Sequence, residues 1–305
     1  MNHKITVIIP IYHPDWKWAA LLDMLQKQEG VSFDTYIIDS GSDKKWMTHL
    51  GNLKYRVKNI TPREFNHGGT RQMAAEECAD ADILVYLTQD AILADRKAIA
   101  NLVKVFDDPL VGCAYGRQLP HKDASVLAAH ARLFNYPAKS MVKQLSDAPR
   151  LGIKVAFISN SFAAYRRSTL MKAGGFPKHV ILSEDTYVCA KMILQGYKSV
   201  YCADAAVYHS HNYSIMEEFR RYFDTGVFHA EEPWIRESFG QAESEGKRFV
   251  LSEMKYILRH KPVLLPSAVI RDGMKFLGYR LGIKEKALPL WLKRKCSMMK
   301  RYWMG

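Results

Sequence analysis

No stretch of this 305-residue chain stays apolar for the roughly 18 to 20 residues that cross a bilayer. The greasiest run of its last third, residues 261–270, is closed by Arg271 and Asp272. Cysteine is scarce: Cys78, Cys113, Cys189, Cys202 and Cys296 are odd in number, far apart and mostly set in apolar runs. That pattern excludes a disulfide frame and a zinc site, and reads as reduced core residues of a cytosolic protein. No charged-then-apolar leader precedes the first strand, so a cytoplasmic location is expected. Internal repeats and low-complexity segments are also missing. Acidic residues are rare in one region: from Lys247 to Gly305 there are 15 Lys and Arg against 3 Asp and Glu. That region carries +12 of the net +13, which leaves residues 1–246 near neutral at +1. A neutral body without a nucleic-acid module argues against DNA or RNA as a partner. A basic, aromatic-bearing tail points to an anionic surface such as the inner leaflet of a membrane, with a solvated helical surface as the plainer alternative.

What is present is an alternation of buried strands and amphipathic helices. Residues 4–11 are almost wholly apolar, as a parallel strand covered on both faces must be. A helix over 15–27 follows, with Asp15 placed to cap it, then strands at 33–38 and 55–60, a helix from the Asn66-His67-Gly68-Gly69 turn to about residue 79, and a strand at 83–87. This rhythm predicts a right-handed parallel βαβ sheet. Beyond it the pattern predicts helices over 95–106, 123–135, 168–173 and 185–195, strands over 111–115, 157–165 and 198–203, and a polar, flexible stretch before Arg150. After Ser214 everything is helix-like, broken at Pro233, Pro262, Pro266 and Pro289. A body over residues 1–225 and a helical, basic extension over 226–305 are the expected divisions.

Ligands in open α/β sheets collect outside the carboxyl ends of the strands. Three marked turns lie at such ends: Pro10-Ile11-Tyr12, Asp39-Ser40-Gly41-Ser42-Asp43 and Thr88-Gln89-Asp90. Asp90 is a candidate for binding a divalent cation, and His209 or His211, after the last strand, is a candidate second ligand. Glu184 and Asp185 open a helix, whose dipole favours their ionised forms. In Phe65-Asn66-His67-Gly68-Gly69-Thr70-Arg71, the Gly pair at a helix start would present N–H groups to an anion, and Arg71 would reach phosphate oxygens.

As a set these segments resemble the family-2 glycosyltransferases of GT-A fold over about residues 4–225, and residues 65–71 resemble their rhamnosyltransferase branch. Three further features carry the likeness: Gln-Asp at 89–90 in place of the usual Asp-X-Asp, Gly174-Gly175-Phe176 followed by Glu184-Asp185, and Gly116-Arg117-Gln118-Leu119-Pro120. Gln72 departs from the Asn that the branch often has. The resemblance implies a Rossmann-like, mostly parallel sheet flanked by helices, and an inverting, metal-dependent enzyme. By it Asp185 is the general base, and Asp90 with His209 or His211 holds Mg²⁺ or Mn²⁺. Pro10, Tyr12, Asp39 and Ser42 surround the nucleotide, while Asn66, His67, Arg71, Gln89, Asp90, Gln118 and Glu184 bind the nucleotide sugar. The implied donor is dTDP-L-rhamnose, and the implied acceptor is a lipid-linked polysaccharide, an O-antigen or cell-wall glycan.

Two other readings stay open: the same fold using another sugar nucleotide such as a UDP-hexose, and a non-catalytic assembly or nucleic-acid-binding protein exploiting the basic tail. Tail residues such as Arg220, Arg221, Lys255 and Arg259 alternate with Phe219, Phe223, Tyr256 and Leu258 at helical spacing, and Trp291, Tyr302 and Trp303 stand beside Lys and Arg clusters. Such a segment either lies in the headgroup region as a peripheral membrane anchor, or packs on the body or on a second subunit.

Overall fold

The computed structural model describes residues 3–240 and 245–304, and of His49 the backbone alone. The elements run β1 (Ile5–Ile11), α1 (Trp16–Gln26), β2 (Asp34–Asp39), β3 (Tyr55–Asn59), α2 (His67–Glu77), β4 (Ile83–Leu87), β5 (Ile92–Leu93), α3 (Ala98–Val103) and β6 (Val111–Leu119). Next come α4 (Val126–Asn135), β7 (Met141–Lys143), α5 (Ala148–Leu151), β8 (Phe162–Arg166), α6 (Arg167–Lys172), α7 (Glu184–Leu194) and β9 (Lys198–Tyr208). The chain closes with α8 (Ile215–Glu231), α9 (Pro233–Phe239), α10 (Glu245–His260), α11 (Leu265–Ile283) and α12 (Leu290–Cys296). Asp15 caps α1 by accepting from the Lys17 N–H, as its position predicts.

One sheet carries all nine strands, in the order β3-β2-β1-β4-β8-β6-β9-β5, with β7 pairing on β9. The first four strands are parallel, as the alternating pattern predicts. Beyond them β8 runs antiparallel between β4 and β6, because the chain enters it from a loop at residues 157–161 and not from a crossover helix. That loop replaces the first half of the strand expected over 157–165, and the stretch expected to be flexible before Arg150 contains β7 and α5. Apolar side chains bury on both faces of the sheet, against α2, α6 and α7 on one and α1 and α3 on the other. All five cysteines are buried.

The C-terminal helices pack on the body. Helix α8 crosses residue 225 and lies against α11 at backbone contact: a Cβ at Gly278 would stand 2.3 Å from the Phe219 carbonyl oxygen, and one at Gly282 would stand 2.1 Å from that of Phe223. Buried Asp224 of α8 accepts from the Met298 and Met299 N–H groups, and the Tyr302 hydroxyl donates to Glu231. Tyr302 and Trp303, expected as interfacial anchors, are half-buried against this body, while Trp291 remains exposed. No described helix is long and apolar enough to cross a membrane.

Candidate active site

Asp90 follows the end of β4, and His209 and His211 follow the end of β9. The fold brings them together: Asp90 Oδ2 lies 3.5 Å from His209 Nε2 and 3.9 Å from His211 Nδ1. One ligand atom from each of the three lies within 4.8 Å of the others. Behind His209 is Gln118, buried at the end of β6. Its Nε2 donates to Ser159 Oγ at 2.9 Å, and its Oε1 receives Arg132 and lies 2.9 Å from His209 Nδ1. Arg132 can only donate, so the atom it meets is the amide oxygen. That oxygen can only accept, which assigns the proton of His209 to Nδ1 and turns the Nε2 lone pair toward Asp90. Burial, then neighbouring His211, holds the His209 pKa well below its ordinary value, so the ring is neutral. A lone pair and a carboxylate facing each other repel unless a cation lies between them. The donor set of one carboxylate oxygen and two imidazole nitrogens therefore fits a divalent metal.

Gln118 was expected to touch the donor sugar, but it is 1% exposed and its amide is committed to Ser159, Arg132 and His209. It positions His209 instead. A Gln118→Leu protein is expected to bind Mn²⁺ about 10- to 100-fold more weakly, because the ring loses the partner that fixes its tautomer and orientation. Titration with Mn²⁺, with a thermal melt as the control for folding, reads this out, and an unchanged affinity would deny the role.

The second acidic group is built on the loop at residues 157–161 and the start of α7. Asp185 Oδ2 accepts from the Asn160 N–H at 3.0 Å, and Oδ1 accepts from the Thr186 N–H at 2.7 Å. Burial, then the charge of Glu184, pushes its pKa up to about 7 despite those donors. Glu184 is fixed differently: it pairs with buried Arg71 at 2.9 Å and accepts from Asn160 Nδ2 at 3.1 Å. Burial works against its ionisation, but Arg71, then His67 and Asn160, outweigh it and hold its pKa below the usual value. Asn160 is locked in turn by the Tyr165 hydroxyl at 2.8 Å. Ser183, just before α7, sits in the left-handed region at φ 61°, a conformation costing a non-glycine residue about 1–2 kcal/mol. Helix α2 meets this region without a side chain to spare, since a Cβ on Gly68 would lie 1.7 Å from the Pro177 carbonyl oxygen.

A continuous line joins the two halves of the site. From Asp90 it passes to His209, through Gln118 to Ser159, and one residue on to Asn160, which holds Asp185. The loop that carries it, including Asn160, was expected to be strand. The apolar pattern of Phe157, Ile158, Phe162 and Ala163 hides a polar turn, Ser159-Asn160-Ser161, which was the available signal.

The remaining candidates surround the strand ends. Gln89 does not point to a sugar: its Oε1 accepts from the Tyr12 N–H at 2.7 Å and its Nε2 donates to the Tyr12 carbonyl at 3.1 Å. Only an amide makes both bonds, so Gln at this place ties the β1 and β4 turns together where Asp could not. Pro10 is the penultimate residue of β1, and the Tyr12 side chain is exposed. Asp39 is buried, with Oδ1 accepting from the Ser42 N–H at 2.9 Å and Oδ2 from Trp46 Nε1 at 3.2 Å. Ser42 Oγ accepts from the His13 N–H at 2.8 Å. Asn66 caps α2 through the Gly69 N–H at 2.7 Å and donates to the Lys178 carbonyl at 3.1 Å, while His67 is exposed. Arg71 is not free for phosphate: it is buried on Glu184 and donates to the His67 carbonyl at 3.0 Å. The packing of α2 against the start of α7 buries its guanidinium on that carboxylate instead.

A model of glycosyltransferase like family 2 matches residues 3–224. The O-antigen chain rhamnosyltransferase RfbN of Salmonella typhimurium is 52% identical over 301 residues, covering 98% of this chain and 96% of the relative. The O-antigen chain rhamnosyltransferase WbaN of Salmonella anatum is 46% identical over 301 residues, with the same coverage of 98% and 96%. Among solved structures, the mannosyltransferase PcManGT from Pyrobaculum calidifontis, in complex with GDP-Man and Mn²⁺, superposes with a TM-score of 0.59 at 21% identity, over 100% of this chain and 86% of that one. Residues 1–349 of S. aureus TarS in complex with UDP-GlcNAc superpose with a TM-score of 0.53 at 14% identity, over 93% and 91%. These two structural likenesses speak for the fold alone.

Proposed function

The chain belongs to glycosyltransferase family 2, with the GT-A fold, and we propose that it transfers L-rhamnose from dTDP-L-rhamnose to a lipid-linked O-antigen glycan with inversion at the anomeric carbon. The observation that carries this is the joining of Asp90 and Asp185 through one hydrogen-bonded loop, in a chain 52% identical to an O-antigen chain rhamnosyltransferase over nearly its whole length. In this reading the acceptor hydroxyl gives its proton to Asp185 as its oxygen bonds to the anomeric carbon, and the bond to the diphosphate breaks on the opposite face. Asp90, His209 and His211 would hold Mg²⁺ or Mn²⁺, with the two nitrogens favouring Mn²⁺. Such an ion supplies charge neutralisation to the departing diphosphate. Asp39, each of whose oxygens keeps a second lone pair, Ser42, Pro10 and Tyr12 would border the nucleotide, and Asn66 and His67 the donor's sugar side. Arg71 and Glu184 would brace the base. Turnover of dTDP-L-rhamnose by the purified protein on an O-antigen lipid intermediate tests the reading, with UDP-hexoses as competitors. Preference for a UDP-hexose would replace the donor assignment.

Only the ionised form of Asp185 can take a proton. With its pKa pushed up to about 7, kcat is expected to fall as pH drops through about 7, approaching tenfold per unit on the acid limb. A pH–rate profile flat down to pH 5 would deny the assignment.

The same reading places residues 1–225 as the catalytic region and 226–305 as a surface-seeking one, with α8 as shared scaffold. All three acidic residues of the segment from Lys247 onward are turned inward: Glu253 and Asp272 toward Lys275, and Glu285 toward Lys293. Its outer surface is left with cations such as Lys255, Arg259 and Lys284, and with exposed Leu258, Val263, Ile270, Phe276 and Trp291. Apolar side chains among cations that form no ion pair with the described residues suit an anionic lipid surface. Because deleting the tail would uncover α8, the better test is Phe276→Ser with Trp291→Ser. Sedimentation with phosphatidylglycerol vesicles is expected to drop at least about tenfold, since each lost aromatic removes about 1.5–3 kcal/mol of burial. Equal sedimentation would refute the membrane reading.

A further inference from the structure

Helix α11 reaches the loop that carries both histidines of the cluster. Arg271 stands about two helical turns before Gly278, and so lies on the face pressed against α8. Its Nη1 donates to the Tyr213 carbonyl at 2.8 Å and pairs with Glu218 Oε2 of α8 at 3.1 Å. The planar guanidinium is thereby held between a loop peptide and a carboxylate, with its side chain 19% exposed. Elsewhere the loop is tied to the segment before α4: the Ser210 hydroxyl accepts from the His121 N–H at 3.0 Å, and Asn212 Oδ1 accepts from the Ser125 N–H at 2.8 Å. His209 is fixed by Gln118, but among the described residues no side chain hydrogen-bonds the ring of His211. Its Nδ1 faces Asp90 at 3.9 Å, and its ring meets that of His209 at 4.7 Å and that of Tyr213 at 5.2 Å, the latter inclined by 31°. His211, Tyr213, Glu218 and Arg271 share one cavity of about 60 Å³, too small for a sugar, which makes their meeting a packing contact and not a ligand pocket.

We infer that Arg271 is a positioning residue for the metal cluster: it fixes the Tyr213 peptide, and the Tyr213 ring in turn fixes the imidazole of His211 toward Asp90. The inference rests on the cation reading of Asp90, His209 and His211, to which it adds the group that holds the third ligand. It also makes α11 part of the site, across the expected boundary at residue 225. The bond from Arg271 is charge-assisted, so its loss frees the loop at the residue next but one to His211. Sign separates this role from a purely electrostatic one. Removing a cation near the cluster would by charge alone tighten Mn²⁺ binding, whereas losing the anchor of the loop weakens it.

Calorimetric titration of the full chain with Mn²⁺, a thermal melt, and amide exchange of residues 209–214 in EDTA test this together. Arg271→Met is expected to bind Mn²⁺ about tenfold more weakly, the low end for an outer partner of a metal ligand. Exchange in residues 209–214 should become at least about tenfold faster, as the loss of one hydrogen bond to a charged group allows. Arg271→Lys keeps a donor for the carbonyl and should recover part of both losses. Tyr213→Ala, at a half-buried loop residue, should weaken Mn²⁺ to a similar extent, and the double variant should be no worse than the weaker single one. The Tyr213 change keeps the test alive if Arg271→Met unfolds the chain. Unchanged or tighter Mn²⁺ binding in Arg271→Met, unchanged binding in Tyr213→Ala, additive losses in the double variant, or a Lys variant no better than Met would overturn the proposal. If the unaltered protein binds no Mn²⁺, the metal reading fails, and the exchange measurement decides whether Arg271 holds the loop: unchanged exchange in Arg271→Met would deny it.

Discussion

Replacing Asp185 by Asn is expected to lower kcat by about 10²- to 10⁴-fold while leaving a folded protein, the range attributable to one positioned base. Asn keeps the shape and one acceptor for the Asn160 or Thr186 N–H, but it cannot take a proton. Glu184 cannot stand in, because its carboxylate is committed to Arg71 and Asn160. The stability consequence has a definite sign. Asp185 has a folded-state pKa of about 7, raised from 3.8, so between those values the unfolded chain releases a proton that the folded one keeps. Ionisation of Asp185 therefore works against the fold, most fully above pH 7. Asn, which never ionises, escapes that cost but loses one acceptor, so Tm at pH 8 should move by no more than about a few degrees. Steady-state kinetics and a thermal melt on the same preparation decide it. A full rate would remove the base, and a collapsed melt would make Asp185 a structural residue.

The second large effect is expected at Asp90. Asp90→Ala should abolish stimulation of turnover by Mn²⁺ or Mg²⁺ and lower kcat by about 10³, equivalent to about 4 kcal/mol of lost charge stabilisation. It removes the only carboxylate of the described cluster and leaves two neutral imidazoles. The structural effect should be small, since Asp90 lies in a turn and its side chain is 22% exposed. Titration of Mn²⁺ against the variant, beside turnover, gives the answer. Retained metal stimulation would move the cation to another site.

These effects follow from an arrangement that departs from the usual Asp-X-Asp. Thr88 stands where that pattern has its first acid, Gln89 in the middle place binds both sides of the Tyr12 peptide through its amide, and two histidines from the end of β9 stand beside Asp90. Read from the chain alone, the histidines are either a second ligand or ordinary structural residues. Their convergence depends on β9 continuing to Tyr208, five residues past its expected end, which carries His209 to the Asp90 turn.

Local chemistry determined much of this protein by itself. Apolar runs with turn residues at their ends marked β1, β2, β3 and β4, Asp15 and Asn66 marked two helix starts, and Asp90, Asp185 and the histidines were visible as chemistry-bearing residues at element ends. Those features depend on residues a few positions apart, where periodicity and capping operate. Tertiary structure alone decided which polar groups face one another. It put Arg71 on Glu184, Gln118 behind His209 and Asn160 under Asp185, and it pressed α11 onto α8 through glycines. The physical reason is that a buried polar group must find its partner across the core, at a separation in sequence that no local pattern encodes.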